Sequence, residues 1–174
     1  ESTESRVIGS PATFDADGIG TPGVSEVVLV ADSYDDLQDF GYRGVNAIGD
    51  RAWVDVDRYG IQDAGEPGLG GLTVQVTYLG GDGVAGGGDD LVLTVVTATD
   101  GGYLVPGLPD GDHTVVVTGG VPAGYTPTWD ETGAADGSSV VLGLGVGTTD
   151  PVDHLTADFG YGGTGVLGGT VWLE

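Results

Sequence analysis

The chain has no cysteine and no lysine, and its basic residues amount to four arginines. Without cysteine there is neither a disulfide framework nor a thiolate metal site. No apolar run approaches the roughly 20 residues that span a bilayer, which argues against direct membrane insertion. No window shows a sustained helical period, so helices are not expected to organise the fold. The chain has neither a starting methionine nor a signal-peptide pattern, and reads as a mature fragment.

Against the four basic residues stand 27 acidic ones, a formal charge of -23. Such a surface repels nucleic-acid phosphates and anionic lipids, which excludes both as partners. Self-repulsion on this scale opposes folding unless salt or bound divalent cations neutralise it, so cations are the first ligand to look for. The plainer reading is that the acidity serves only solubility or salt tolerance. Together with abundant Thr and Gly, it suits an extracellular location, on a cell surface or in a secreted filament.

What the chain does have is glycine, 36 residues of it, and 39% apolar residues. The Gly-X-Y period of collagen is absent, and the glycines fall between short runs of Val, Leu and Thr, the punctuation of an all-β protein. Strands are expected at 72–78, 91–97, 113–118 and 140–144, with shorter ones at 47–54, 102–105 and 155–161. Turns are expected at 65–71, 80–90, 106–111 and 119–124, the second of these as a flexible acidic loop. That number of short strands predicts a two-sheet β-sandwich.

An internal repeat divides the chain. Asp39-Phe40-Gly41-Tyr42 returns as Asp158-Phe159-Gly160-Tyr161, and the segment from Ile48 to Asp55, which carries Trp53, returns from Leu167 to Glu174, which carries Trp172; both offsets are 119 residues. Two landmarks with one spacing define a repeat unit. Residues 47–161 are then one complete repeat, residues 1–44 the closing strands of a preceding one, and residues 162–174 the opening strand of the next. Neither flanking piece is long enough to bury a core alone. Trp53 and Trp172 occupy the same place in successive repeats, which makes them core anchors rather than sugar-stacking platforms.

Residues 55–66 carry the clearest chemistry. They fit the twelve-residue EF-hand loop, with Asp55, Asp57 and Asp63 at positions 1, 3 and 9, Gly60 at 6 and Glu66 at 12. Calcium takes six to eight hard oxygen ligands, so alternate side chains of a tight loop must turn inward around a glycine bend. Asp55, Asp57 and Asp63 would supply carboxylates, Glu66 a bidentate one, and Tyr59 and Ile61 backbone carbonyls. This composition yields roughly 0.002 chance matches to those five positions. No helix flanks the loop, since Trp53 precedes it in a strand and Pro67-Gly68 follow it.

From Ile48 through Trp53 and Asp55, Gly60 to Gly68 and Gly71 to Val74, the sequence resembles the SdrD B-like repeat of bacterial surface proteins. Thr99 to Tyr103, Leu108 to Gly111, Val121 to Tyr125 and Asp158 to Tyr161 continue that pattern in order. The resemblance implies an inverse immunoglobulin, prealbumin-like sandwich of the collagen-adhesin B type, strung head to tail as a calcium-stiffened stalk. Some relatives in the wider B-type class lock themselves with a Lys-Asn isopeptide bond, which a chain without lysine cannot form.

Weaker signals are Asp15, Asp17 and Glu26, which repeat part of the loop pattern, and Asp100 and Asp112, which flank turns where related domains hold extra calcium. His113 and His154 each follow an aspartate, but with no nucleophile nearby they read as surface or strand-edge histidines. An enzyme is therefore not expected. The leading reading is a structural repeat whose partners are copies of itself or adjacent repeats, assembling head to tail and by intermolecular strand pairing. The alternative is an adhesin that binds a host or environmental ligand through its loops.

Overall fold

The computed structural model describes residues 12–15, 20, 24–25, 27–36, 38–148 and 150–165. Among them are eleven strands and no helix: β1 (Ala12–Asp15), β2 (Phe40–Tyr42), β3 (Asn46–Val54), β4 (Thr73–Tyr78), β5 (Leu91–Val96), β6 (Gly102–Leu108), β7 (Gly111–Gly119), β8 (Tyr125–Asp130), β9 (Ser138–Leu144), β10 (Asp153–Leu155) and β11 (Phe159–Gly163). No described helix is long and apolar enough to cross a membrane.

The expected sandwich is present. One sheet is antiparallel in the order β5-β4-β7-β9, and the other is centred on β3. Alternation along the first sheet turns Val74, Val76, Val115 and Val141 inward. They meet Ile48, Val105, Leu108, Phe159 and Tyr161 of the second, and all nine are buried. Burying a side chain of this size contributes about 1.5–3 kcal/mol relative to exposure, so these pairs supply much of the driving force.

Strand β3 is paired along both edges. Residues Asn46 to Arg51 run antiparallel to β6. On the other edge, Ala47 to Gly49 pair in parallel with β10 and Ala52 to Val54 in parallel with β11. The segment 155–161, expected as one strand, is therefore two strands with a break between them. Asp158 occupies the break: its Oδ1 accepts the Arg51 N–H at 2.8 Å, standing in for a lost ladder bond. Burial holds this carboxyl above the ordinary carboxylate range, with Asp50 and Glu131 adding to the effect.

The rest of the Asp-Phe-Gly-Tyr signature is equally physical. Phe159 and Tyr161 are core residues. A Cβ on Gly160 would lie 2.8 Å from the Trp53 ring, so only glycine lets the tryptophan of the opening strand lie flat against β11.

Strands β1 and β2 reproduce the β8–β11 pair. Asp15, Phe14 and Ala12 lie opposite Phe40, Gly41 and Tyr42, with a bulge between positions 12 and 14. Asp130, Trp129 and Pro127 lie opposite Phe159, Gly160 and Tyr161, with the same bulge. The burial differs: Phe40 and Tyr42 are 37% and 46% exposed, against 0% and 2% for Phe159 and Tyr161.

Three other expectations change. Tyr125–Asp130 is a strand, although Pro127 interrupts its pattern; a bulge absorbs the proline. Pro106–Leu108, expected as turn, belongs to β6. His113, expected at the surface or at a strand edge, is fully buried on interior strand β7, its Nδ1 3.1 Å from the Gly111 carbonyl and its ring 5.3 Å from that of Tyr78.

Burial pushes the His113 imidazole below its ordinary value, so the folded state favours the neutral ring. The stability this contributes is present above the unfolded value of about 6.5 and is lost as pH falls through it toward the folded value. Chemical denaturation of wild type and His113→Leu between pH 7.5 and 5 should show the variant gaining relative to wild type as pH falls.

Candidate metal centre

The loop from Asp55 to Glu66 continues directly from β3 and is closed at its base. Val54 N–H donates to Pro67 C=O at 2.8 Å, Trp53 pairs with Gly68, and Asp55 N–H donates to Tyr161 C=O at 3.0 Å. Its first candidate ligand thus springs from the core sheet. Inside the loop Arg58 and Gly60 adopt positive φ of 64° and 72°. Gly60 takes that conformation without strain while passing close to Thr128 and Trp129.

This path brings Asp55, Asp57 and Glu66 together, with one carboxylate oxygen from each lying within 4.8 Å of the others. Backbone donors aim these groups. Asp55 Oδ2 accepts Gly60 N–H at 2.9 Å, Asp57 Oδ1 accepts Tyr59 N–H at 3.1 Å, and Glu66 accepts Val56 N–H at 2.7 Å and Asp63 N–H at 3.0 Å. Asp55 Oδ1 is buried and has no hydrogen-bond partner. Burial by itself would raise the Asp55 carboxyl, but the adjacent Thr128 hydroxyl and the Gly60 and Arg58 N–H groups outweigh it and hold the carboxyl below its ordinary value. Thr128 exerts this pull without a well-aligned bond, since its Oγ1 also lacks a partner.

A buried, ionised oxygen without a well-aligned donor is costly unless a cation completes its shell. The three carboxylates fit a hard, oxygen-seeking ion, and with no cysteine or histidine among them they do not suit a softer metal. Asp63 is outside this group of three; its backbone meets Glu66 from both directions, its N–H donating to the carboxylate and its C=O accepting the Glu66 N–H at 3.2 Å. Tyr59 and Ile61 are 80% and 64% exposed, so neither side chain fills the loop interior.

Among the described residues, Asp100 and Asp112 are brought to no such cluster. Asp100 uses Oδ1 to close a turn, accepting Gly102 N–H at 3.0 Å, and Asp112 uses Oδ1 to bridge β7 to β9, accepting Gly143 N–H at 2.7 Å. Asp15 is buried at the end of β1, while Asp17 and Glu26 lie outside the described residues. His154 is at a strand edge as expected, its Nε2 2.9 Å from Glu131 Oε2.

Sequence reasoning passed over Arg58. Its guanidinium donates to the carbonyls of Gly162 at 3.0 Å and Gly163 at 2.9 Å, and to Thr126 Oγ1 at 3.3 Å, so the acidic loop grips the end of β11. The available signal was charge: one of only four arginines sits among the four acids of this loop.

A family model for the SdrD B-like domain matches residues 46–157. The chain belongs to the SdrD B-like family. Serine-aspartate repeat-containing protein F of Staphylococcus epidermidis is 33% identical over 128 residues, 73% of this chain and 7% of that protein. Serine-aspartate repeat-containing protein D of Staphylococcus aureus strain MW2 is 31% identical over 162 residues, 91% of this chain and 11% of that protein. Among solved structures, the group B streptococcus pilus 2b backbone protein aligns over 86% of this chain and 55% of its own, with TM-score 0.40 and 16% identity. The shaft pilin SpaA of Lactobacillus rhamnosus GG aligns over 74% and 51%, with TM-score 0.37 and 12% identity. The SdrD B-like match opens with β3 and contains the whole acidic loop, while Arg58 fastens that loop to β11, beyond the matched residues.

Replacing Arg58 with Ala removes three hydrogen bonds of a charged donor, each worth about 1.5–3 kcal/mol at most and less where exposed. Thermal unfolding in excess chelator should therefore show a midpoint several degrees lower for Arg58→Ala than for wild type, with no metal required for the difference.

Proposed function

We propose that the chain is a non-enzymatic, calcium-stabilised structural repeat of an extracellular surface stalk or filament. The observation that carries this reading is the buried, partnerless Oδ1 of Asp55 beside the carboxylates of Asp57 and Glu66. Calcium bound there would take these three carboxylates and the carbonyls of Tyr59 and Ile61, with Asp63 acting directly or through water. It would discharge like-charge repulsion and fix the loop to β3 at one end and, through Arg58, to β11 at the other. The role is mechanical: it adds stiffness where the chain leaves the sandwich.

The gain is set by mass action, about 2.7 kcal/mol when free calcium is 100-fold above its dissociation constant. Scanning calorimetry should show a higher midpoint in calcium than in chelator, and Asp55→Ala should remove the difference. Trp129, beside Gly60, should report binding through its fluorescence. An unchanged midpoint on removing calcium would sink the mechanism.

Head-to-tail joining would follow from β2. Its partner β1 and their bulged register match β8–β11, while Phe40 and Tyr42 lack the cover that Phe159 and Tyr161 have. A strand of the β3 type would complete the pair, as Ala52, Trp53 and Val54 do for Phe159, Gly160 and Tyr161. The segment Leu167 to Leu173 of an adjacent repeat or a second copy has the required sequence, with Trp172 against Gly41. Gly41→Val should then abolish assembly seen by light scattering while leaving the unfolding midpoint of the central sandwich unchanged. A wild-type chain that stays monomeric under all conditions would overturn this step.

The adhesin alternative has one feature in its favour, a groove lined by Tyr42, Arg43, Tyr78, Asp89, Leu91 and Pro106. Ligand arrays whose binding is lost in Tyr78→Ala would support it over the stalk.

A further inference from the structure

Three buried polar atoms that lack a hydrogen-bond partner among the described residues meet beneath the acidic loop: Trp53 Nε1, Asp55 Oδ1 and Thr128 Oγ1. Residues two apart on a strand share a face, and Val54 and Tyr161 take the core side of β3 and β11. Trp53 and Asp55 therefore project from the opposite side, where Gly160 and Gly162 of β11 bring no side chain of their own.

Thr128 joins them from β8. It is the residue that the bulge leaves without a partner across β11, since Trp129 lies opposite Gly160 and Pro127 opposite Tyr161. Bulges re-aim side chains, and this one turns the Thr128 methyl toward Gly162 and its hydroxyl toward Gly160. A Cβ on Gly160 would stand 3.1 Å from Thr128 Oγ1 and 3.1 Å from Trp53 Cε2, the ring carbon bonded to Nε1. The same hydroxyl lies beside the Asp55 carboxyl. Gly60 of the loop passes against the Thr128 carbonyl and covers the niche.

The three groups differ in what they can do. An indole N–H only donates, an ionised carboxylate only accepts, and a hydroxyl does both. Thr128 is thus the one member able to serve the other two. A cation at Asp55 completes one lone pair of Oδ1 and does nothing for the Trp53 N–H. We infer that Thr128 is a positioning residue of the metal centre: its hydroxyl accepts Trp53 Nε1–H and donates to Asp55 Oδ1 when the loop holds calcium, aiming the buried oxygen at the ion. The role rests on the calcium reading of the loop and ties the ion to β8 as well as to β3 and β11. Thr126, two residues earlier on β8, already takes the Arg58 guanidinium at 3.3 Å, so one face of that strand serves the loop twice.

Neither bond is aligned in this structure, so removing the hydroxyl takes no existing contact from the sandwich. The loss falls on ion affinity, by about 10-fold or more for a hydrogen bond to a charged group. Calorimetric titration of calcium should therefore show Thr128→Val binding about 10-fold more weakly than wild type, while Thr128→Ser, which keeps the hydroxyl, binds like wild type. In proton NMR, calcium should move the Trp53 indole N–H resonance downfield in wild type and Thr128→Ser but leave it in place in Thr128→Val. Equal affinities for Thr128→Val and wild type, or the same indole shift in both, would overturn the inference. So would a lower unfolding midpoint of Thr128→Val in chelator at unchanged affinity, the mark of a merely structural residue. A wild type that binds no calcium would overturn the reading of the loop itself, and this role with it.

Discussion

Strand β3 is hydrogen-bonded along both edges, and that double pairing sets the position of everything that matters in this domain. One edge holds β6; the other holds two parallel strands in succession, with Asp158 bridging the gap between them. Because its second half is locked to β11, Trp53 lies in a fixed place over Gly160, and Asp55 leaves the sheet in a fixed direction. The acidic loop therefore starts from the most constrained backbone available. A metal site on such a base loses little freedom on binding, which is what a structural site needs.

The acidity of the chain acquires a second meaning from the loops. Asp57, Asp82, Asp100 and Asp136 each accept the N–H two residues on, from Tyr59, Val84, Gly102 and Ser138. Such aspartates mimic a backbone turn and hold a glycine-rich chain in one bend. The segment 80–90, expected to be flexible, is organised this way, with Asp89 and Asp90 accepting from Gly81 and Gly86 as well. Asp130 does the same at larger scale, taking the Thr132 hydroxyl and the N–H groups of Asp136 and Gly137, and these donors, the hydroxyl first, outweigh burial in holding its carboxyl below the ordinary value. Much of the negative charge is thus turn chemistry, and neither solubility nor metal binding need account for it.

What the sequence made legible is what local pattern encodes. Alternating Val and Thr marked β4, β5 and β7, the repeat marked β3 and β11, and the spacing of Asp55, Asp57, Gly60 and Glu66 marked the acidic loop. What it hid depends on contacts between distant residues. Pro127 masks β8 because a bulge opposite Tyr161 is invisible in a single strand. The break between β10 and β11 is set by the length of β3 across the sheet, and the burial of His113 by its row on β7. Asp63 fits the loop pattern by position, yet it is outside the group that Asp55, Asp57 and Glu66 form, and its backbone is engaged with Glu66. The partner of Arg58 lies 104 residues away, beyond the reach of any local reading.

The two ends of the repeat are fastened by unlike means, and the difference bears on stiffness. At the entrance, Gly44 passes backbone to backbone against Leu108 and Pro109, so close that no Cβ would fit. At the exit, Arg58 holds Gly162 and Gly163 from one side while Thr164 N–H donates to Gly124 C=O at 2.7 Å from the other. The entrance is a steric fit that no ion touches. The exit is held by a side chain of the acidic loop, so its rigidity rises and falls with the order of that loop. In the proposed rod, joints between such units would be held by packing on one side and by electrostatics on the other, and only the second would respond to the ionic composition of the surroundings.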